Sequence, residues 1–178
     1  MAIYALLAKK RTIYYIAFLL ALLNKETSLV LPFLFLITFW NSGALRWQLG
    51  IEAGLQLAAW GAWRFYLNSV YANNPGDVVE FHLLEYNARF FSSFGIRQIR
   101  FWVIGLVALY LVVADWRLKD SGLKKMITVM LIFFTPLHVS FALIDEFRGL
   151  LELYPVVFLL AIPTLNRLLR ETSVHKAA

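Results

Sequence analysis

The sequence predicts an all-α, polytopic bundle of transmembrane helices, and three observations carry that reading. Hydrophobic residues fill 61% of the 178 positions and charged residues only 16%, against roughly 45–50% and about 25% in soluble domains. The apolar residues gather into six runs separated by polar breaks, all but one of them short. The 17 Lys and Arg residues cluster beside those runs rather than along a helix face, as orientation in a bilayer requires. This composition excludes a soluble enzyme, a disordered chain and a conventional nucleic-acid module. A formal net charge of +6 would point to a polyanion in a soluble protein. Here its placement reads as topology, and no nucleic-acid partner is expected. Cysteine is absent, so thiolate catalysis, disulfides and thiolate metal ligands are excluded.

Met1–Leu23, with the basic stretch Lys9-Lys10-Arg11 followed by an apolar run, has the outline of a signal peptide. It lacks a small-x-small cleavage site, and further apolar segments follow, so it is read as retained. The six runs are Thr12–Leu23, Thr27–Trp40, Trp47–Trp63, Phe101–Ala114, Met126–Ile144 and Leu150–Leu165. About 20 residues cross a bilayer core, and only the third and fifth run approach that length. About six short spans are therefore expected, some packed against protein rather than lipid.

Asn24-Lys25-Glu26 separates the first two runs. It is either a tight turn between short helices or a polar interruption of one long helix kinked at Pro32. Charge favours the turn. With six spans and both termini cytoplasmic, eleven basic residues fall inside and six outside, in agreement with the positive-inside rule. A five-span arrangement would put Lys9-Lys10-Arg11 outside. The expected location is the bacterial inner (plasma) membrane.

Arg64–Arg100 is the one long polar stretch. Asn73-Asn74-Pro75-Gly76 signals a turn, and Asp77 can cap a following helix. Val79, Leu83, Tyr86 and Phe90 then recur at helical spacing, with His82, Glu85 and Arg89 on another face. The segment reads as an external amphipathic helix lying in the interface. With no repeats or linkers, residues 1–178 are read as a single transmembrane domain.

Charged groups within a bilayer are costly, so they are the candidate site residues. Lys25 and Glu26 either bind an anionic head group or phosphate, or form a surface turn whose charges offset each other. Glu52, with Gln56 one turn on, is either paired by an Arg or Lys from another helix or, if unpaired, sits protonated. Glu146 and Arg148 can clamp a pyrophosphate or sugar, or belong to a charged hairpin turn. His82 and Glu85 can do acid–base work, or are displayed by the interfacial helix. His138 is expected to bond a neighbouring helix rather than a metal. No metal-ligand set, phosphate loop, Gly-x-Ser-x-Gly motif or cofactor motif is present.

Three stretches carry a resemblance. Leu19–Leu36 (LLALLNKETSLVLPFLFL), Asn74–Asn87 (NPGDVVEFHLLEYN) and Asp145–Pro155 (DEFRGLLELYP) resemble parts of bacterial multi-pass membrane glycosyltransferases of the GT-C type and their uncharacterised relatives. That resemblance implies an all-helical fold handling polyprenyl-phosphate-linked sugar in cell-envelope glycan assembly, with Glu146 and Arg148 at the donor phosphate. The GT-C catalytic carboxylate sits in a large first external loop. The only acidic residue at that place here is Glu26, in a three-residue turn. The chain thus looks like the C-terminal half of such a protein, reduced or partial, and whether it is an enzyme stays open. The alternatives are a non-catalytic helical subunit of a larger membrane complex, packed on membrane lipids and other membrane subunits, and a small transporter or channel.

Overall fold

The computed structural model describes residues 1–24, 26–40, 45–73, 86–92, 95–143 and 147–175, with the backbone alone for 97, 147–149 and 172–175. The described residues are helical and include no strand. They fall into two compact units, Met1–Val78 and Val79–Ala178.

The first unit begins with α1 (Ala2–Leu7) and α2 (Arg11–Asn24). Their junction is a Schellman turn: the Lys9 amide donates to Leu6 O and the Lys10 amide to Ala5 O. Lys9 sits at the left-handed position that such a turn needs, with φ 54°. On α2, Tyr14, Ala17, Phe18 and Leu22 face inward at helical spacing. Ile16, Leu19, Leu20 and Leu23 are exposed on the other side.

A 3-10 turn over Glu26–Val30 leads into α3 (Leu31–Phe39). Pro32 lies in the first turn of α3, where its missing amide hydrogen costs no hydrogen bond. It starts a helix rather than kinking one. The rings of Tyr14 and Phe35 stack with centroids 5.3 Å apart. In one continuous helix those residues would lie about 31 Å apart. The chain therefore reverses around Asn24–Glu26, and α2 and α3 form an antiparallel hairpin. The next helix, α4 (Arg46–Val70), presents Leu49, Ala53 and Gln56 inward.

The second unit contains α5 (Ala88–Ser92), α6 (Ile96–Val113), α7 (Ser121–Phe141) and α8 (Tyr154–His175). On α7 the buried stripe is Met126, Ile127, Met130, Phe134 and His138. Pro136 lies inside that helix and withholds one backbone donor. On α8 Val156, Leu160, Ala161 and Thr164 are buried. Asn87, 1% exposed, donates from Nδ2 to the carbonyls of Val139 and Ala142 at 2.7 and 2.9 Å and closes the end of α7. Asp120 accepts from the Leu123 amide at 2.9 Å and caps its start.

The six apolar runs fall mainly on helical segments, yet among the described residues only two helices are long and apolar enough to cross a membrane, rather than about six. They are Ser121–Phe141 and Leu150–Glu171. Arg11–Asn24, Glu26–Phe39 and Gln98–Val113 are apolar but shorter than 18 residues. At 25 residues α4 is long enough, but Gln48, Glu52, Gln56 and Arg64 dilute its apolar character. Only 28% of each spanning window is buried within protein. A core helix of a soluble domain would be mostly enclosed. The expected interfacial helix over Val79–Phe91 falls largely outside the described residues.

Candidate functional site

The densest polar grouping lies between α2, α3 and α4 in the first unit. Arg11 opens α2, and four-residue spacing puts Tyr15 on its face. The same spacing puts Gln56 beside Glu52 on α4. Because α2 and α4 both run antiparallel to α3, they run parallel to each other, and the two faces meet in register. Arg11 Nη1 lies 3.2 Å from Glu52 Oε1 and 3.5 Å from Oε2. The Tyr15 hydroxyl donates to Glu52 Oε2, and the Tyr14 hydroxyl donates to Gln56 Oε1 at 2.6 Å. The Arg11 guanidinium also lies 4.7 Å from the Phe39 ring centre and 5.8 Å from that of Phe35, where the ring faces attract a cation.

The partner expected for Glu52 is thus Arg11, supplied by another helix. The carboxylate is satisfied by one cation and one hydroxyl, which makes it a clamp between helices. Gln56 is 5% exposed and its Nε2 has no acceptor among the described residues.

A second polar grouping marks the other end of this unit. Arg64 Nη1 lies 3.3 Å from Glu26 Oε1, and Trp60 Nε1 donates to the Glu26 carbonyl at 3.1 Å. Glu26 remains 80% exposed. Its backbone anchors the 3-10 turn to α4, while Trp63 Nε1 and Arg64 Nε are buried without acceptors among the described residues.

In the second unit a third grouping ties α6 to α8. Asp115 follows α6 in left-handed geometry with φ 56°, and its Oδ2 lies 2.9 Å from Arg167 Nε. Arg167 also reaches Glu171 at 3.5 Å, and Thr164 Oγ1 donates to the Ala114 carbonyl at 3.0 Å. Lys119, 4% exposed, folds back so that Nζ donates to the carbonyls of Leu111 and Val112 at 2.5 and 2.7 Å. A cation there satisfies carbonyls that the helix end leaves open. Burial pushes the Lys119 ammonium below its usual pKa, while neighbouring Asp115 acts in the opposite direction.

Of the residues singled out in the sequence, Glu52 and Gln56 come together on α4, and Glu26 joins Arg64. His138 is buried in the inward stripe of α7. Lys25, His82, Glu85 and Glu146 lie outside the described residues, as does the side chain of Arg148. Arg11, Tyr14, Tyr15, Asp115, Lys119 and Arg167 were missed as site residues. The i, i+4 match of Arg11/Tyr15 with Glu52/Gln56 was the available signal. Among the described residues no three His, Asp or Glu side chains come together as a metal site would require.

Comparison of the chain with protein-family models, with curated proteins and with solved structures finds no match in any of the three.

Proposed function

We propose that this chain is an integral membrane protein that serves as a non-catalytic helical subunit of a larger membrane assembly. One observation carries the reading. Helix α6 buries none of its described side chains within the chain, while Trp102, Val103, Leu106, Val107, Leu109 and Tyr110 stand exposed. An outward surface of this kind needs lipid or protein to cover it. The apolar stretch Gln98–Val113 rises about 24 Å as a helix, short of a core about 30 Å thick. Short helices gain from protein neighbours that offset the mismatch.

The polar groups support the same reading. Arg11 with Glu52, Asp115 with Arg167, and Lys119 with its two carbonyls are each turned toward protein partners. These contacts hold helices together within each unit. Within the second unit, α7 and α8 run antiparallel and cross the membrane, with the basic α6–α7 end cytoplasmic by the positive-inside rule.

The test has two parts. The chain should stay in the membrane fraction at alkaline pH and leave only with detergent. A photo-crosslinking residue at Val103 or Val107 should give a protein adduct of one discrete mass. Alkaline release overturns the membrane reading, and crosslinking to lipid alone overturns the subunit reading. A cysteine at Ser121 should label from the opposite side to one at Ala142.

A further inference from the structure

We propose that the basic end of the second unit, formed by Asp115–Lys125 and the last turns of α8, is a docking surface for the phosphodiester head groups of anionic phospholipids. The inference rests on the membrane reading above and adds the lipid class. Three observations on this end of the unit converge.

The first is position. Arg167 meets Asp115 and Thr164 meets the Ala114 carbonyl, so the C-terminal part of α8 lies at the α6–α7 loop. The helix Ser121–Phe141 starts from that loop, and the span Leu150–Glu171 ends there. If these two helices cross a bilayer, this end lies at head-group depth.

The second is charge. Six cations stand here against three carboxylates: Arg117, Lys119, Lys124, Lys125, Arg167 and Arg170 against Asp115, Asp120 and Glu171. The carboxylates are engaged, Asp115 and Glu171 with Arg167 and Asp120 with the Leu123 amide. Lys119 is turned inward onto two carbonyls. Arg117 and Lys125 are exposed, and Lys124 lies 5.4 Å from the Trp116 ring centre. The outward charge is therefore cationic.

The third is the apolar pair between these cations. Leu118 is 80% exposed and Trp116 is 38% exposed, in a turn held firmly by the Lys119 bonds. An apolar tip flanked by Lys and Arg suits the head-group boundary: the ring and the leucine enter the acyl edge, and the cations meet phosphates. In water the same tip would be an unfavourable exposure.

Each cation near the surface gives roughly a fivefold preference for an anionic membrane at moderate salt. The test uses the full-length chain in detergent, offered equal phosphatidylglycerol and phosphatidylcholine, with the retained lipids measured by native mass spectrometry. The wild type should retain phosphatidylglycerol preferentially, and the double variant Arg117→Gln/Lys125→Gln should lose about tenfold or more of that preference. Equal retention by the wild type, or an unchanged ratio in the variant, overturns the proposal. As the chain contains no cysteine, Leu118→Cys gives a single spin-label site. The label should be reached by oxygen in preference to a water-soluble nickel chelate in phosphatidylglycerol vesicles; the reverse order overturns insertion of the tip. Alkaline extraction of the same proteins separates the two levels. A chain that stays in the membrane without lipid preference defeats this proposal alone, and a chain that is released defeats the membrane reading beneath it.

Discussion

Arg11 and Glu52, 41 positions apart in the chain, meet at 3.2 Å and join the start of α2 to α4. Their side chains are 37% and 29% exposed, so solvent screens part of the attraction. The pair is worth less than a fully enclosed one, for which removing one partner costs roughly 3–5 kcal/mol. What strengthens it is shared use: Tyr15 donates to the same carboxylate, and Phe39 lies against the same guanidinium.

Replacing either partner should destabilise the first unit by about 1–2 kcal/mol, since a half-enclosed charge is left with poorer company. The double variant Arg11→Gln/Glu52→Gln should cost less than the two single changes added together. Thermal unfolding in detergent, followed by tryptophan fluorescence, measures all three. Strict additivity would mean that the two side chains do not interact.

Tyr14 and Gln56 give a test of the opposite kind, because both are buried. Tyr14→Phe removes the donor to Gln56 Oε1 and leaves a buried amide with neither atom bonded among the described residues, at a cost of about 1–3 kcal/mol. Adding Gln56→Met removes the stranded amide and keeps an unbranched side chain of similar length. The double variant should therefore recover most of the loss and match or exceed the wild type in melting temperature. A double variant weaker than Tyr14→Phe alone would show that Gln56 has a further role.

The apolar runs and the Asn24–Glu26 reversal were legible in the sequence because period and turn residues are local signals. That Glu52 is either paired from another helix or protonated was legible too, since a carboxylate inside an apolar run has few other choices. That the cation is Arg11 was not legible. It belongs to a Lys-Lys-Arg cluster that reads equally well as a topology signal, and only the parallel register of α2 and α4 singles it out. The span count failed for a related reason. Counting apolar runs ignores where helices stop, and three of the runs stop short of a bilayer thickness. In the sequence Lys119 counts only as one of the eleven basic residues on the inside; a long flexible side chain just past a helix end can point to solvent or turn back onto its carbonyls, and sequence spacing does not distinguish the two.

Lys119→Met should show that difference. It keeps the packing stem and removes both bonds to the end of α6, at a cost of about 2 kcal/mol for two charge-assisted bonds partly offset by the ammonium's desolvation. Arg117→Gln, at an exposed position two residues earlier, should change stability by less than about 0.5 kcal/mol. Equal effects in thermal unfolding would mean that Lys119 acts only through surface charge.

The two left-handed residues should respond in opposite directions to glycine. Lys9, at φ 54°, closes the Schellman turn after α1 through its backbone alone, with its side chain exposed. A residue with a Cβ costs roughly 1–2 kcal/mol there, and glycine returns part of that gain as unfolded-state entropy. Lys9→Gly should therefore raise stability by about 0.5–1 kcal/mol. Lys9→Gln, which drops the charge and keeps the strain, should leave it unchanged and so separates geometry from electrostatics. Asp115, at φ 56°, carries the same strain, but its carboxylate holds Arg167 at 2.9 Å. Asp115→Gly gives up that ion pair along with the strain and exposes the α6–α8 contact to its loss, so its melting temperature should fall. A rise at both positions would mean that the Asp115–Arg167 pair contributes nothing to the fold, and a fall at both would mean that the Lys9 side chain makes a contact that its exposed position does not reveal.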